Sequence, residues 1–471
     1  MKKNGVLKAL GITFVIYVIL SWIIPVGYYS NGSFTTNTIE PIGIFDIVKY
    51  PIVTLTSSVF VLTSVCLLLI GGFYGVLKAT GIYSKLVDSI CKKMKGNEEK
   101  FLILSTFILA LLASLTALTI PLFLLVPLVI GVVLAMGYNK LTALLSSVGA
   151  ILVGNMATTY GFNIAGYIHY FYNTDMNSGI LFKIILFVLL TGGLILFILM
   201  LNKNTKLTKL TKEELKEIPY YEEKKNNKTK ILVPIIVIVI TFILILVGMY
   251  NWYYGLGVEL FNNFHTAIAK VEYNNLPILS YLLGNVNAIG YWNNYEFAVI
   301  LIILTFVIGK IGKLSGKEMV DSFIDGAKKM LPVAFFAMIA NLMFLLMNSN
   351  SSGYTYYATI CNYFFGLSDK LGAVSVGITS FLGGILYNDF PYMINVVSTQ
   401  VGSIYNNLTL VTFIQYSIHG LVQLVAPTSV LLVAGLTYLE IPYKEYLKSV
   451  WKFVLGALLV IIALSIMISL V

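Results

Sequence analysis

Polar side chains interrupt long apolar runs at four places in this sequence, and their types suit the binding of small charged species. Asp389 is the strongest candidate, because a carboxylate within a membrane segment costs free energy and is therefore expected to have a function. It would act as a cation ligand, a proton carrier or the partner of a substrate amine. The alternative is that Asp389 only caps the helix that follows it. The candidate binding residues are Ser114, Thr116, Thr119, Asn155, Thr158, Thr159, Asn388, Asp389, Thr428 and Ser429.

Each polar set lies beside residues that break helices, among them Pro121, Pro391 and Pro427. Backbone that leaves helical geometry inside a bilayer must be satisfied by protein or by a water-lined cavity, so these breaks predict a cavity. Hydroxyls, amides and opposed helix ends suit a dehydrated Na⁺ and the carboxylate of a small substrate. The residues predicted to lie near Na⁺ are Asn155, Thr159, Asp389 and Thr428.

His419 is a candidate proton relay at mid-span, and a packing histidine is the alternative interpretation. The sequence contains no phosphate-binding loop, no nucleophile elbow and no closely spaced His or Cys set. The pairs Gly71-Gly72 and Gly383-Gly384 indicate close helix packing. We therefore expect neither an enzyme nor a nucleic-acid-binding protein, and no cofactor besides a possible coupling Na⁺ or H⁺.

The elements that position these residues must be membrane helices. Of the 471 residues, 58% are hydrophobic and 11% are charged, whereas a globular domain carries about 25% charged residues. The sequence predicts an all-α polytopic membrane protein with about nine transmembrane helices. Two further stretches, 101–137 and 371–401, are too long for one crossing and are interrupted by polar residues and proline. The predicted spans are 6–29, 52–79, 141–170, 180–201, 231–250, 297–311, 330–347, 408–436 and 450–471.

Lysine placement predicts how these spans run. All 31 basic residues are lysines, and cytoplasmic loops carry the excess of basic residues in membrane proteins. The N-terminus is predicted to be cytoplasmic, the C-terminus outside, and both interrupted stretches return to the side they left. A single crossing by either stretch would destroy the asymmetry, so we predict two re-entrant hairpins in a protein of the bacterial cytoplasmic membrane. The lysines left outside are Lys49, Lys183, Lys270 and Lys370.

An internal duplication divides the chain. Tyr138-Asn139-Lys140-Leu141-Thr142 matches Tyr405-Asn406-Asn407-Leu408-Thr409 at all positions but one, and weaker pairs share nearly the same offset, such as Thr80-Gly81 with Ser352-Gly353. An extra span between the halves makes them antiparallel, which is the architecture of secondary transporters. The predicted units are a first inverted repeat (1–202, with hairpin 101–137 and broken helix 141–170), a cytoplasmic charged loop (203–230), a linking helix with an outer interfacial segment (231–296), and a second inverted repeat (297–471, with hairpin 371–401 and broken helix 405–437).

Two motifs of the sequence match a known family. They are Gly71-Gly72-Phe73-Tyr74-Gly75-Val76-Leu77 with Thr80-Gly81, and Ala426-Pro427-Thr428-Ser429-Val430-Leu431 with Ile441-Pro442-Tyr443. Through these motifs the sequence resembles the YfcC branch of the C4-dicarboxylate anaerobic carrier family, within the ion transporter superfamily. The resemblance implies a scaffold domain, a transport domain that carries both hairpins, an elevator-like movement and a homodimer. It also implies transport of C4-dicarboxylates or, in the YfcC branch, basic amino-acid exchange such as arginine for ornithine.

The sequence departs from the branch at the first hairpin, where Thr116-Ala117-Leu118-Thr119 stands in place of an acidic pair. The leading hypothesis is a secondary active transporter of a small carboxylate-bearing metabolite, an amino acid rather than a dicarboxylate. The alternative is a C4-dicarboxylate carrier coupled to Na⁺ or H⁺, and the remote alternatives are a membrane-embedded enzyme and a channel subunit. The expected partners are the lipid bilayer, the substrate and a second copy of the chain.

Overall fold

The computed structural model of the chain describes residues 5–30, 33–204, 207, 211–222, 231–273, 276–284, 286–347 and 355–470. Most of this is helix. Three features of the sequence fall outside the described residues: the N-terminal Lys2 and Lys3, the repeat pair Ser352-Gly353, and positions 205, 206, 208–210 and 223–230 of the predicted charged loop 203–230.

A short β-hairpin follows the first described helix and precedes the second in the chain. Helix α1 ends just before Pro25, where the chain turns into the two strands. The strands β1 and β2 pair antiparallel, with Gly27 opposite Thr36. These elements are α1 (Gly5–Ile23), β1 (Gly27–Ser30), β2 (Ser33–Thr36), α2 (Ile44–Thr56), α3 (Ser58–Thr80) and α4 (Ile82–Met94).

The first predicted hairpin and the first broken helix follow. The broken helix starts at Lys140, continues through a π-helical segment at Leu145–Gly149, stops at Met156, and resumes in a second π-helical segment at Phe162–Gly166. Such π segments are common at functional sites in helices. The helices of this part are α5 (Glu98–Thr116), α6 (Ile120–Phe123), α7 (Val126–Ala135), α8 (Lys140–Leu144), α9 (Ala150–Met156), α10 (Tyr167–Tyr172) and α11 (Ile180–Asn202).

The middle of the chain holds one long apolar helix and several short elements. None of the residues of the short helix from Leu260 to Ala269 is buried, in keeping with the predicted interfacial segment. The elements are α12 (Lys212–Glu217), α13 (Leu232–Met249), α14 (Trp252–Leu256), α15 (Leu260–Ala269), β3 (Glu272–Tyr273), β4 (Leu276–Pro277) and α16 (Ile278–Leu283).

The last part contains the second hairpin and the second broken helix, which stops at Gln423 and resumes at Val430. The helix that begins at Gly316 starts well before the predicted span, because its charged first turns extend the apolar part. The helices are α17 (Asn294–Ile311), α18 (Gly316–Met347), α19 (Tyr356–Phe365), α20 (Ser368–Leu371), α21 (Val374–Leu386), α22 (Phe390–Ile404), α23 (Leu408–Gln423), α24 (Val430–Leu439) and α25 (Tyr443–Ser469).

In the described part of the chain, eight helices are long and apolar enough to cross a bilayer. Seven of them are predicted spans, and the predicted spans 141–170 and 408–436 are the two broken helices. The eighth is α5, the first leg of the first hairpin, which is longer than expected because the charged turn from Glu98 to Lys100 precedes its apolar run. The helical membrane fold is therefore confirmed.

The two ends of each hairpin lie close to each other. At the base of the first, the Glu98 and Glu99 carboxylates lie near the Tyr138 hydroxyl, and burial together with these two charges raises the pKa of Tyr138 to about 12. At the base of the second, the Tyr405 hydroxyl lies 3.3 Å from the Gly372 carbonyl, to which it donates. The start and end of each hairpin thus lie together.

Helices α3 and α18 cross at very short range. A Cβ on Gly326 would lie 2.2 Å from the Gly71 carbonyl oxygen and 2.6 Å from the Gly75 Cα. A Cβ on Gly72 would overlap the ring of Phe323. Glycine lets the two backbones approach this closely, so the prediction that Gly71 and Gly72 serve helix packing is confirmed.

Candidate functional site

A cavity of about 690 Å³ lies where the tips of the two hairpins meet the two broken helices. The first hairpin contributes residues 117–121, and the second contributes residues 388–392. Its mouth lies where α13 ends and α17 begins, since Met249 and Asn294 line it beside Tyr170, which is 74% exposed. The predicted site residues that line the cavity are Thr119, Asn155, Asn388, Asp389, His419 and Ser429.

Asp389 both caps a helix and faces the cavity. It is the N-cap residue of α22, and its Oδ1 accepts a hydrogen bond of 3.4 Å from the backbone N–H of Tyr392. The residue is nevertheless exposed, and it belongs to the cavity wall. Capping α22 therefore does not remove Asp389 from the cavity wall.

Ser114, Thr158 and Thr159 do not line the cavity but stabilise the break in the first broken helix. The Ser114 carbonyl accepts hydrogen bonds from the Thr159 N–H at 3.0 Å and the Gly161 N–H at 3.1 Å. The Thr158 hydroxyl donates to the same carbonyl at 3.2 Å, and the Ser114 hydroxyl donates to the Ala157 carbonyl at 2.7 Å. These bonds satisfy the backbone that the break frees and attach the break to the hairpin tip.

The second hairpin is held by an equivalent set of bonds to the carbonyls at the end of α21. The Thr428 hydroxyl donates to the Ile385 carbonyl at 2.8 Å, and Gln423 Nε2 donates to the Gly384 carbonyl at 2.8 Å. His419 Nε2 lies 3.0 Å from the Tyr387 carbonyl. Since a carbonyl only accepts, this nitrogen carries the proton of the bond. His419 thus has a structural bond on one ring edge while its side chain also lines the cavity.

Of the remaining predicted residues, Thr116 bonds within its own helix, whereas Asn388 and Ser429 line the cavity. Thr116 donates to the Leu112 carbonyl of its own helix at 2.6 Å and does not line the cavity. Asn388 donates to Asn341 Oδ1 at 2.8 Å, which ties the second hairpin to α18. Ser429 is the N-cap residue of α24 and makes no capping bond through its side chain, so the N-terminus of this helix is open to the cavity.

Two polar atoms in the cavity wall have no hydrogen-bond partner within the described part of the chain. They are Asn155 Oδ1 and the Tyr416 hydroxyl, and both are buried. A buried polar atom without a partner is costly and needs an explanation. A bound ion, a water or a small ligand would provide one.

Several wall residues were missed by reading the sequence. Tyr392 and Asn395 follow Asp389 at helical spacing and could have been found from that spacing. Tyr167, Asn341 and Tyr416 lie in ordinary apolar runs, where a single polar residue gives no signal. The amide and hydroxyl residues of the wall are Thr63, Thr119, Asn155, Asn163, Tyr167, Tyr170, Asn294, Asn341, Asn388, Tyr392, Asn395, Tyr416, Gln423 and Ser429.

Asp389 is the only Asp, Glu, Lys or Arg among the described residues that line the cavity. The site is thus rich in neutral hydrogen-bonding groups and carries one formal negative charge. Within the described part of the chain, no group of three or more His, Cys, Asp or Glu is placed to hold a metal ion.

A family model described as C4-dicarboxylate anaerobic carrier, DcuC, matches residues 6–470. No curated protein matches the sequence. Among solved structures, the YdaH transporter of Alcanivorax borkumensis is 13% identical, with a TM-score of 0.40 and coverage of 99% of this chain and 97% of that one. MtrF of Neisseria gonorrhoeae, which represents a class of antimetabolite efflux pumps, is 12% identical, with a TM-score of 0.40 and coverage of 99% of this chain and 95% of that one.

Proposed function

The chain belongs to the C4-dicarboxylate anaerobic carrier family and is an integral membrane transporter rather than an enzyme, and from this premise we propose that its substrate is a small amino acid. In this proposal the substrate carries both a carboxylate and a positive charge. Transport is secondary and active, by exchange or by coupling to a cation gradient. The YfcC-like exchange of basic amino acids is the form that the sequence resemblance favours.

The observation that supports an amino acid is the charge of the cavity wall. Asp389 is the only formal charge on the described wall. A dicarboxylate brings two further negative charges beside it, and two like charges about 4 Å apart repel by roughly 4 kcal/mol near a protein surface. A substrate with an ammonium or guanidinium group is attracted by the same carboxylate.

The substrate carboxylate has a separate place in this proposal. The N-terminal residues Val430 and Leu431 of α24 line the cavity, and the Ser429 side chain leaves this helix end uncapped. The first backbone N–H groups of a helix and its dipole favour an anion. We assign the carboxylate to this helix end and the positive group to Asp389.

The coupling ion is assigned to the first broken helix. Asn155 lines the cavity, its buried Oδ1 has no hydrogen-bond partner in the described part of the chain, and amide oxygens near helix breaks suit Na⁺ in transporters. Of the residues predicted around Na⁺, Thr159 and Thr428 are engaged with backbone carbonyls, so Asn155 and Asp389 are the stronger candidates. Proton coupling through Asp389 and His419 is the alternative.

A C4-dicarboxylate is the second candidate substrate, and the description of the family favours it. It requires co-bound cations, because no described wall residue is a lysine or arginine. The two candidates therefore differ in cation dependence as well as in substrate. The predicted inverted repeat, the elevator-like movement and the homodimer belong to either proposal.

The test is counterflow in proteoliposomes that contain the purified full chain. Labelled arginine, lysine, ornithine, alanine, succinate, fumarate and malate are offered against an excess of the same unlabelled compound inside, with and without Na⁺. We expect counterflow of at least one amino acid and little of the dicarboxylates. Counterflow restricted to dicarboxylates, and dependent on Na⁺, would replace the amino-acid proposal by the second candidate.

A further inference from the structure

A short segment after α12 is buried against the membrane helices instead of remaining in solvent. We call residues 218–222 the strap. Of its side chains, Ile218 is 4% exposed, Tyr220 1% and Tyr221 8%. A segment of a charged loop that buries two tyrosines has a fixed place on the protein, and its contacts define that place.

One end of the strap contacts α3 and α18. The Tyr220 hydroxyl donates to the Gly326 carbonyl at 3.1 Å, at the close crossing of these helices, and its ring lies 5.5 Å from that of Tyr74. The Lys329 ammonium lies 5.0 Å from the centre of the same ring. Glu222 pairs with Lys78 near the end of α3 at 3.3 Å.

The other contacts of the strap are with α4. The Tyr221 hydroxyl donates to Asp88 Oδ1 at 2.8 Å, and the backbone N–H of Glu222 donates to the Ser84 hydroxyl at 2.9 Å. Helices α3 and α4 are joined by Gly81 alone, which has a φ of 74°. The strap therefore bonds to both sides of a one-residue glycine joint.

Helix α4 in turn holds the first hairpin. The Tyr83 hydroxyl donates to the Pro127 carbonyl of α7 at 2.9 Å, and Cys91 Sγ lies 4.0 Å from the Val132 carbonyl of the same helix. Helix α3 also bonds to the hairpin, since the Tyr74 hydroxyl donates to the Leu124 carbonyl at 2.7 Å. A movement of the hairpin and α4 together relative to α3 and α18 breaks this bond and bends the chain at Gly81. Such a movement separates the two groups of residues that the strap joins.

The strap lies on the face opposite the cavity mouth. Thr63, near the start of α3, lines the cavity, whereas Lys78, near its other end, contacts the strap. At 1.5 Å per residue these positions are about 22 Å apart along the helix. The cavity thus opens at one face of the protein, and the strap bonds to α3 and α4 beside Gly81 at the opposite face.

We propose that the strap is a conformational latch, which holds the arrangement with the cavity open on the α13–α17 side and releases when the cavity opens on the strap side. Release breaks the bonds to Ser84 and Asp88 and frees α4 to turn at Gly81. The rate of alternation then depends on the strength of these contacts.

The test follows access to the cavity from the strap side and needs no substrate. Asn395, an exposed wall residue, is replaced by cysteine in a chain whose Cys66, Cys91 and Cys361 are alanine. The reporter is labelled with a membrane-impermeant maleimide in intact cells and in inverted membrane vesicles. Tyr220→Ala is expected to raise the labelling rate from the strap side about tenfold, because it removes a buried ring from the joint. Lys216→Ala, at an exposed position of α12, is the control and leaves the rate unchanged.

A disulfide that prevents release of the strap gives a second test. It remains informative if the Tyr220→Ala variant fails to fold. Ser84→Cys and Glu222→Cys in the same cysteine-free chain place two thiols within disulfide reach, since the Glu222 N–H bonds to the Ser84 side chain. Labelling is read on the peptide that contains position 395, because the reduced thiols at positions 84 and 222 also react with maleimide. Oxidation is expected to abolish labelling of Asn395→Cys from the strap side, and a reductant restores it. Equal labelling in the oxidised and reduced proteins would overturn the latch while leaving the substrate proposal intact.

Discussion

Asp389 caps a helix and also lines the cavity, whereas the sequence presents a helix cap and a binding role as alternatives. Its Oδ1 accepts the capping bond from Tyr392, and its exposed carboxylate belongs to the cavity wall. Asparagine caps helices about as well as aspartate. The substitution Asp389→Asn therefore removes the charge and keeps the cap, so the two roles can be measured separately.

We expect Asp389→Asn to raise the KM for a cationic or zwitterionic substrate by about thirtyfold or more, because loss of one partner of a desolvated charge pair costs about 2 kcal/mol or more. The melting temperature in detergent should stay within about 2 °C of the parent value, since the cap is kept. The measurement is concentration-dependent uptake in proteoliposomes, with Asp369→Asn at an exposed position of α20 as the control. Unchanged uptake and cation dependence would leave Asp389 as a cap only.

The sequence locates Asp389 because an acid in an apolar run is rare, but it cannot assign roles to the uncharged residues. Ser114 and Thr158 bond to backbone behind the wall, whereas Thr119 and Ser429 line the cavity. All four are small hydroxyl residues beside a helix break. Which way each one faces depends on the packing of the hairpins, and no local pattern contains that information.

At the scale of elements, the crossing of α3 and α18 depends on glycine. The two helices are long and apolar, so hydrophobicity alone does not fix their separation inside a membrane. Gly71, Gly75 and Gly326 bring the backbones into contact. The sequence predicts close packing from the pair Gly71-Gly72 in α3, whereas the partner residue Gly326 has no glycine beside it in α18 and gives no comparable signal.

Gly326→Ala should lower the melting temperature of the detergent-solubilised protein by at least about 3 °C. Its methyl group would overlap the backbone of α3, and overpacking of this kind costs about 1–3 kcal/mol. The matched control is Gly456→Ala in α25, where a Cβ meets nothing within 4 Å and where the same gain in helix propensity applies. If both variants melt at the same temperature, the close crossing does not contribute to stability.

At the scale of the whole molecule, hydropathy and lysine placement predict the order of spans, hairpins and broken helices that the structure has. The charge asymmetry predicts orientation from the whole set of loops and not from any one residue. The π-helical segments at Leu145–Gly149 and Phe162–Gly166 were not predicted, since the apolar pattern of the sequence does not distinguish a π turn from an α turn. The orientation of the termini and the antiparallel relation of the halves stay predictions.

The orientation can be tested at the bases of both hairpins. In a chain without native cysteines, single cysteines replace Lys95 and Lys140, which flank the first hairpin, and Lys370 and Asn406, which flank the second; all four positions are exposed. We expect an impermeant maleimide to label the first pair only in inverted vesicles and the second pair only in intact cells, because each re-entrant hairpin starts and ends on one side. The two members of a pair should differ less than about threefold in labelling rate, since both are in solvent. Labelling of the members of either pair from opposite sides would turn that hairpin into a full crossing and reverse the orientation of every helix that follows it.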